Sequence, residues 1–156
     1  MSGGKKVKPI NIILIILAVA GILDSLYLTW IKLGASTPLF CEPGGGCDVV
    51  NTSPYSEFMG VPVAILGAGF YLLLLGLAVG EIIWTKKPYL FLLGLFGASL
   101  IGVLYSLYLT YLELAVIHAV CPYCVVSAVL VTMFWLVSLY RLVQYEPDDK
   151  MFDRGD

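Results

Sequence analysis

Cys121-Pro-Tyr-Cys124 is a Cys-x-x-Cys placed where a short polar stretch gives way to a long apolar run. At a helix start, unpaired N–H groups and the positive helix end favour the thiolate, which is the nucleophilic form of cysteine. Cys121 suits the N-cap or the residue beside it, Pro122 the first helical position and Cys124 the first turn. Apolar burial opposes thiolate formation. The close spacing fits a reversible disulfide. The other cysteines, Cys41 and Cys47, follow the first apolar run and enclose Pro43 and Gly44-Gly45-Gly46. Those glycines let the chain fold back so that two sulfurs can approach disulfide geometry.

Four cysteines admit three disulfide connectivities, and a metal site besides. Two inert staples are one reading, although staples are typical of small secreted domains rather than membrane bundles. A zinc site made of all four cysteines is another, but Cys41 to Cys47 is wider than a zinc knuckle, and no metal is expected. A non-catalytic bundle therefore stands as the alternative to a thiol relay that moves electrons to something dissolved in lipid.

Two ionisable residues are candidates for proton transfer. Asp24 lies inside an apolar run, where a carboxyl is costly and marks a functional position. His118 precedes Cys121 by three residues, and an imidazole can relay protons. Lys32 and Glu113 read as solvated anchors at the ends of apolar runs. Tyr27, Trp30, Tyr108 and Tyr111 read as an interfacial aromatic belt. Glu81, Trp84, Lys86 and Lys87 read as the opposite boundary.

What must position these residues is a membrane bundle. Only 13% of the 156 residues are charged and mean hydropathy is +0.92, whereas soluble domains carry about a quarter charged residues. No basic patch accompanies the net charge of −2, so nucleic acid is not an expected partner. Four runs have spanning length: Ile10 to Leu33, Val61 to Gly80, Pro88 to Leu112 and Pro122 to Val143. Hydrocarbon offers no partner to an unpaired backbone group, so each must be helical. The expected fold is an all-α, four-transmembrane-helix bundle: one membrane domain over residues 1–156, with a redox loop over 34–60 and a charged tail over 144–156.

Orientation follows from the basic residues. With both termini cytoplasmic, that side holds Lys5, Lys6, Lys8, Lys86, Lys87, Arg141, Lys150 and Arg154, and the other side only Lys32. All four cysteines then lie outside the cytoplasm, where disulfides persist. The first run has a cleavage-like Ala18-Val19-Ala20, but its apolar stretch continues through Leu33, too long for a signal peptide.

An internal echo ties the two cysteine pairs together. Gly21 to Leu33 aligns with Gly102 to Leu114 at eight of thirteen positions, including Ser-Leu-Tyr-Leu-Thr in both. Each copy precedes a cysteine pair, and the small residues suit close helix contact. Within the loop, Asp48 to Phe58 reads as a short amphipathic helix on the membrane surface. Gly60-Val61-Pro62 opens the second span, with Pro62 in its first turn.

Taken in order, Ser25-Leu-Tyr-Leu-Thr29, Cys41 and Cys47, Cys47-Asp-Val-Val-Asn-Thr-Ser53-Pro54, Gly60-Val-Pro62 and Cys121-Pro-Tyr-Cys124 resemble the prokaryotic form of the vitamin K epoxide reductase family over residues 10 to 143. DsbB-type proteins are functional analogues, but carry their Cys-x-x-Cys in the first loop. The resemblance implies a quinone-dependent thiol oxidoreductase. Cys41 and Cys47 would accept electrons from a reduced thioredoxin-like (DsbA-like) protein. Cys47 would attack Cys121, and Cys124 would pass electrons to a quinone, with Ser53 as a hydrogen-bond donor to it. Ala128 stands where animal members carry a Tyr, four residues after the second cysteine. The missing polar anchor favours ubiquinone or menaquinone over vitamin K epoxide, with a vitamin K-type quinone as a further candidate. Many bacterial members carry a fused thioredoxin-like domain, whereas this chain ends soon after its fourth span, so the thiol partner is expected to be a separate protein.

Overall fold

The computed structural model describes residues 9–34, 46–83 and 88–145. Its elements are helix α1 (Pro9–Lys32), a short helix α2 (Gly46–Thr52), a 3₁₀ turn (Pro54–Ser56), strands β1 (Glu57–Phe58) and β2 (Val61–Pro62), and helices α3 (Val63–Ile83), α4 (Pro88–Leu112) and α5 (Pro122–Val143). A π turn, Glu113–Ile117, extends α4. Among the described residues, four helices have spanning length and apolarity: α1, α3, α4 with its π turn, and α5. Side by side they form a ring in the order α1, α3, α4, α5, closed by contact of α5 with α1. This is the expected four-helix membrane bundle.

Its polarity is that of a protein dissolved in lipid. The core is a thin column of Leu14, Ala18, Tyr71, Leu74, Ala78, Leu95, Val131 and Phe134. Ile16, Leu23, Leu72, Ile101 and Leu136 point outward and stay exposed. In water such a surface would aggregate; in hydrocarbon it is the natural exterior.

The internal echo is structural. Thr29 donates to the Ser25 carbonyl at 2.8 Å, and Thr110 repeats this with the Ser106 carbonyl at 2.9 Å. Gly21 and Gly102 lie under neighbouring rings of α3, Tyr71 and Phe70. A β-carbon at Gly21 would come within 2.3 Å of the Tyr71 ring, and one at Gly102 within 2.6 Å of Phe70. Both copies thus use a small residue to seat α3 closely.

The loop departs from a single surface helix. Helix α2 stops at Thr52, and Pro54 begins the 3₁₀ turn. β1 and β2 then pair antiparallel around Met59-Gly60, with Glu57 opposite Pro62 and Phe58 opposite Val61. Both turn residues have positive φ, 53° and 81°, the two-residue hairpin geometry that glycine favours. Val61 and Pro62 therefore belong to the hairpin rather than to the second span, which starts at Val63 and runs on to Ile83.

At the bundle end opposite the cysteines, Glu81, near the end of α3, is paired rather than solvated. Its carboxylate receives both guanidinium arms of Arg141, Nη1 at 2.7 Å and Nη2 closer still, across the ring between α3 and α5. Both side chains are nearly buried. Trp84, Lys86, Lys87 and the tail after Tyr145 lie outside the described residues. Arg141→Met leaves the Glu81 charge buried without compensation and is expected to cost about 3–5 kcal/mol of stability. Thermal unfolding in detergent checks this: the double change Glu81→Leu with Arg141→Met should recover most of the loss, and equal losses in single and double variants would contradict it.

Candidate functional site

Helix α5 begins as the residue types dictate. Cys121 is its extended N-cap (φ −94°, ψ 114°), Pro122 occupies the first turn, and Val125 N–H closes the turn on the Cys121 carbonyl at 3.1 Å. Cys121 and Cys124 are free thiols. Cys121 is 2% exposed, whereas Cys124 is only half-buried. A hydrogen bond between the two sulfurs holds the Cys121 thiol below its ordinary value, against the upward push of burial.

Cys47 comes to the same place from the loop. It is disulfide-bonded and 2% exposed. Cys41 lies outside the described residues. Cys47, Cys121 and Leu28 form one dry cluster, with Val50, Ala64, Tyr123 and Cys124 packed against it. The enabling residue is Gly46, at the start of α2. A β-carbon there would lie 2.2 Å from the Val120 carbonyl oxygen, a backbone atom that cannot swing aside.

Beneath this cluster the four helices enclose a cavity of about 380 Å³. Cys124 stands on its wall; Cys121 does not. Matching positions of the two repeat copies face it, Ser25 with Ser106 and Leu28 with Leu109. Val50, Ser53, Tyr55 and Ser56 of the loop roof it. Leu66, Ile101 and Tyr105 line it while remaining exposed on the outer surface, so it opens sideways between α3 and α4.

The roof is tied down by Lys32, which corrects its reading as a solvated anchor. Its Nζ donates to Ser56 Oγ at 2.6 Å and pairs with Glu57 at 3.2 Å. Ser56 Oγ in turn donates to the Ser53 carbonyl at 2.8 Å. Ser53 lines the cavity as expected of a ligand contact, but its hydroxyl proton is given to the Val50 carbonyl at 2.7 Å. It offers the cavity an acceptor, and becomes a donor only on turning from Val50.

Glu113 is the residue that sequence reasoning missed. It is 5% exposed, not solvated. The π turn directs its side chain beneath the start of α5. Its backbone carbonyl accepts the N–H groups of His118 and, at 3.1 Å, Ala119. Its Oε2 accepts the Cys121 N–H at 3.3 Å, and its side chain shares the cavity lining with Cys124. The only available signal was an acid eight residues before a Cys-x-x-Cys, and helical periodicity alone places that acid at a membrane boundary.

The other candidates are less central. His118 takes the left-handed conformation (φ 54°) and is exposed, outside the cavity lining. Asp24 is half-buried, with Oδ2 unpartnered, and also lies outside the lining. Tyr27 turns inward onto the Tyr123 ring, centroids 5.0 Å apart, while Trp30, Tyr108 and Tyr111 are exposed as a belt requires. Among the described residues no group of three or more His, Cys, Asp or Glu could hold a metal ion.

A model of the vitamin K epoxide reductase family matches residues 12–139. The match runs from the first span into the fourth, and the chain belongs to that family.

Two outcomes are expected from this geometry. In reduced protein, Cys121 alkylation should persist below the pH range of an ordinary cysteine; Cys124→Ala removes the hydrogen bond and should move that profile to higher pH. Gly46→Ala should displace Cys47 and slow disulfide exchange between the pairs about tenfold or more, read by acid quench and mass spectrometry, without changing Cys121 alkylation.

Proposed function

We propose that this member of the vitamin K epoxide reductase family, a multi-pass membrane oxidoreductase, reoxidises a separate thioredoxin-like protein outside the cytoplasm and passes the electrons through two cysteine pairs to a quinone. The observation that carries this reading is the division of labour among sulfurs: Cys121 shares a dry cluster with Cys47, while Cys124 borders the cavity. The orientation is supported by the basic residues, which gather on the side away from the cysteines.

The sequence of steps balances. A partner thiolate opens the Cys41–Cys47 disulfide, and exchange on the partner releases Cys47 as a thiolate. Cys47 attacks Cys121 of an oxidised Cys121–Cys124 pair, and Cys124 leaves as a thiolate. Cys41 then attacks Cys47, restoring the loop disulfide and freeing Cys121. The product is an oxidised Cys47 beside two free thiols, the redox state described above. Exclusion of water around Cys47 and Cys121 protects the mixed disulfide from competing thiols.

The cavity fits a quinone ring. Its volume is within the usual range for small-ligand sites, its walls are mainly apolar, and its rim meets lipid at Leu66, Ile101 and Tyr105. A bound quinone supplies an acceptor for two electrons and two protons, which are what the Cys121 and Cys124 thiols lose on forming their disulfide. Phe70, Ile101 and Val131 would flank the ring, and Ser53 would donate to an oxygen after turning from Val50. Ala128 provides no phenol, which favours ubiquinone or menaquinone.

Purified protein with a short-chain ubiquinone or menaquinone is expected to oxidise a reduced thioredoxin-like substrate. Cys41→Ala, which lacks the resolving thiol, should accumulate a Cys47–Cys121 disulfide, identified by peptide mass spectrometry, and Cys124→Ala should lower turnover roughly 100-fold or more. Full activity in that variant, or no quinone dependence in wild type, would refute the scheme.

A further inference from the structure

We infer that Glu113 is the proton acceptor for Cys124 when the Cys121–Cys124 disulfide closes, and that it hands this proton into the cavity. A buried carboxyl is costly unless its environment uses it. Here it is 5% exposed and is the only carboxyl among the described residues that line the cavity, whose wall also carries Cys124. The same side chain accepts the Cys121 N–H, which anchors it at the start of the Cys-x-x-Cys. Asp24 lies outside the lining, and His118 is exposed outside it.

The repeat gives an independent comparison. Glu113 is the counterpart of Lys32, and Lys32 is occupied with Ser56 and Glu57 of the roof. The scaffold therefore does not require an acid at this register. The π turn that buries Glu113 sits in the copy that leads to the Cys-x-x-Cys.

The proton balance is complete. Disulfide closure releases two electrons and two protons from Cys121 and Cys124. The Cys124 proton moves from Sγ to a Glu113 carboxylate oxygen and on into the cavity, where quinone reduction consumes it. The Cys121 proton passes to solvent outside the cluster before closure, and one proton from solvent completes the quinol.

This inference rests on the quinone-coupled reading above, and Glu113→Gln separates it from a merely structural role. Glutamine keeps an oxygen for the Cys121 N–H but cannot take up a proton. The expected variant melts like wild type, turns over with ubiquinone about 100-fold more slowly, and regains part of the rate as Glu113→Asp. In reduced, quinone-free protein, Cys124 should alkylate several-fold faster in the Gln variant, because a neighbouring anion is gone. Turnover within about twofold of wild type would overturn the proposal, as would slow turnover with unchanged Cys124 alkylation. If the Gln variant does not fold, Glu113→Asp decides: a rate lowered about tenfold at unchanged alkylation supports the relay, and an unchanged rate overturns it. Absence of quinone dependence in wild type would refute the thiol–quinone reading, whereas alkylation without quinone judges Glu113 alone.

Discussion

The close seating of helix α2 on the start of α5 is the contact on which the rest of the site depends. Gly46 rests against the Val120 carbonyl with no room for a side chain, and the next residue is Cys47. That seating brings Cys47 into the cluster with Cys121 and Leu28. It also lays Val50, Ser53, Tyr55 and Ser56 over the cavity, because they follow in the same short segment. A rigid bundle alone would leave Cys47 in water and the cavity open above. The apolar helices supply the frame, but one backbone approach joins Cys47 to Cys121.

The bilayer explains why so thin a core suffices. Spanning helices satisfy their own backbone groups whatever surrounds them, so packing has only to choose neighbours. Small residues under the paired rings of Phe70 and Tyr71 do this near the middle of the bundle. Two polar ties cross the ring between α3 and α5: the Tyr71 hydroxyl donates to the Ser127 carbonyl at 2.8 Å, and Glu81 binds Arg141. Between α3 and α4 the wall parts at Leu66, Ile101 and Tyr105, which opens the cavity towards lipid.

Much of this was legible in the residues. Apolar runs located every span, with α4 and α5 matching at both bounds, because hydrocarbon tolerates little besides a helix. The second span began two residues late, since Met59-Gly60 could form a hairpin turn that pairs Val61 and Pro62 with β1. The start of α5 was readable from Cys121-Pro122, where proline fixes the first turn. Ser53, which the resemblance marked as a donor to a quinone, lines the cavity, but its bond to Val50 depends on how α2 ends. Glu113 and Lys32 were misread for a common reason. Helical periodicity gives the height of a charge in the membrane, but not whether a neighbouring segment will fold over it. Both are covered by segments distant in the chain, Lys32 by the roof and Glu113 by the start of α5.

That shared register with opposite charges shows how a duplicated unit acquires two roles. Both copies keep the glycine under an α3 ring, the serine and leucine facing the cavity, and the threonine bonded back to the serine carbonyl. They part at their outer ends. In α1 the cation reaches outward and holds the roof through Ser56 and Glu57. In α4 a π turn widens the last turn and directs an acid inward to the Cys121 N–H and the cavity that Cys124 borders. Exchange of the two residues would put an ammonium beside the Cys-x-x-Cys, stabilising its thiolates but leaving no base to take a proton from Cys124. The roof would meanwhile lose its cation and face Glu57 with a like charge. The positions are equivalent in the fold and opposite in charge, so the asymmetry between the two copies lies in the side chains rather than the scaffold.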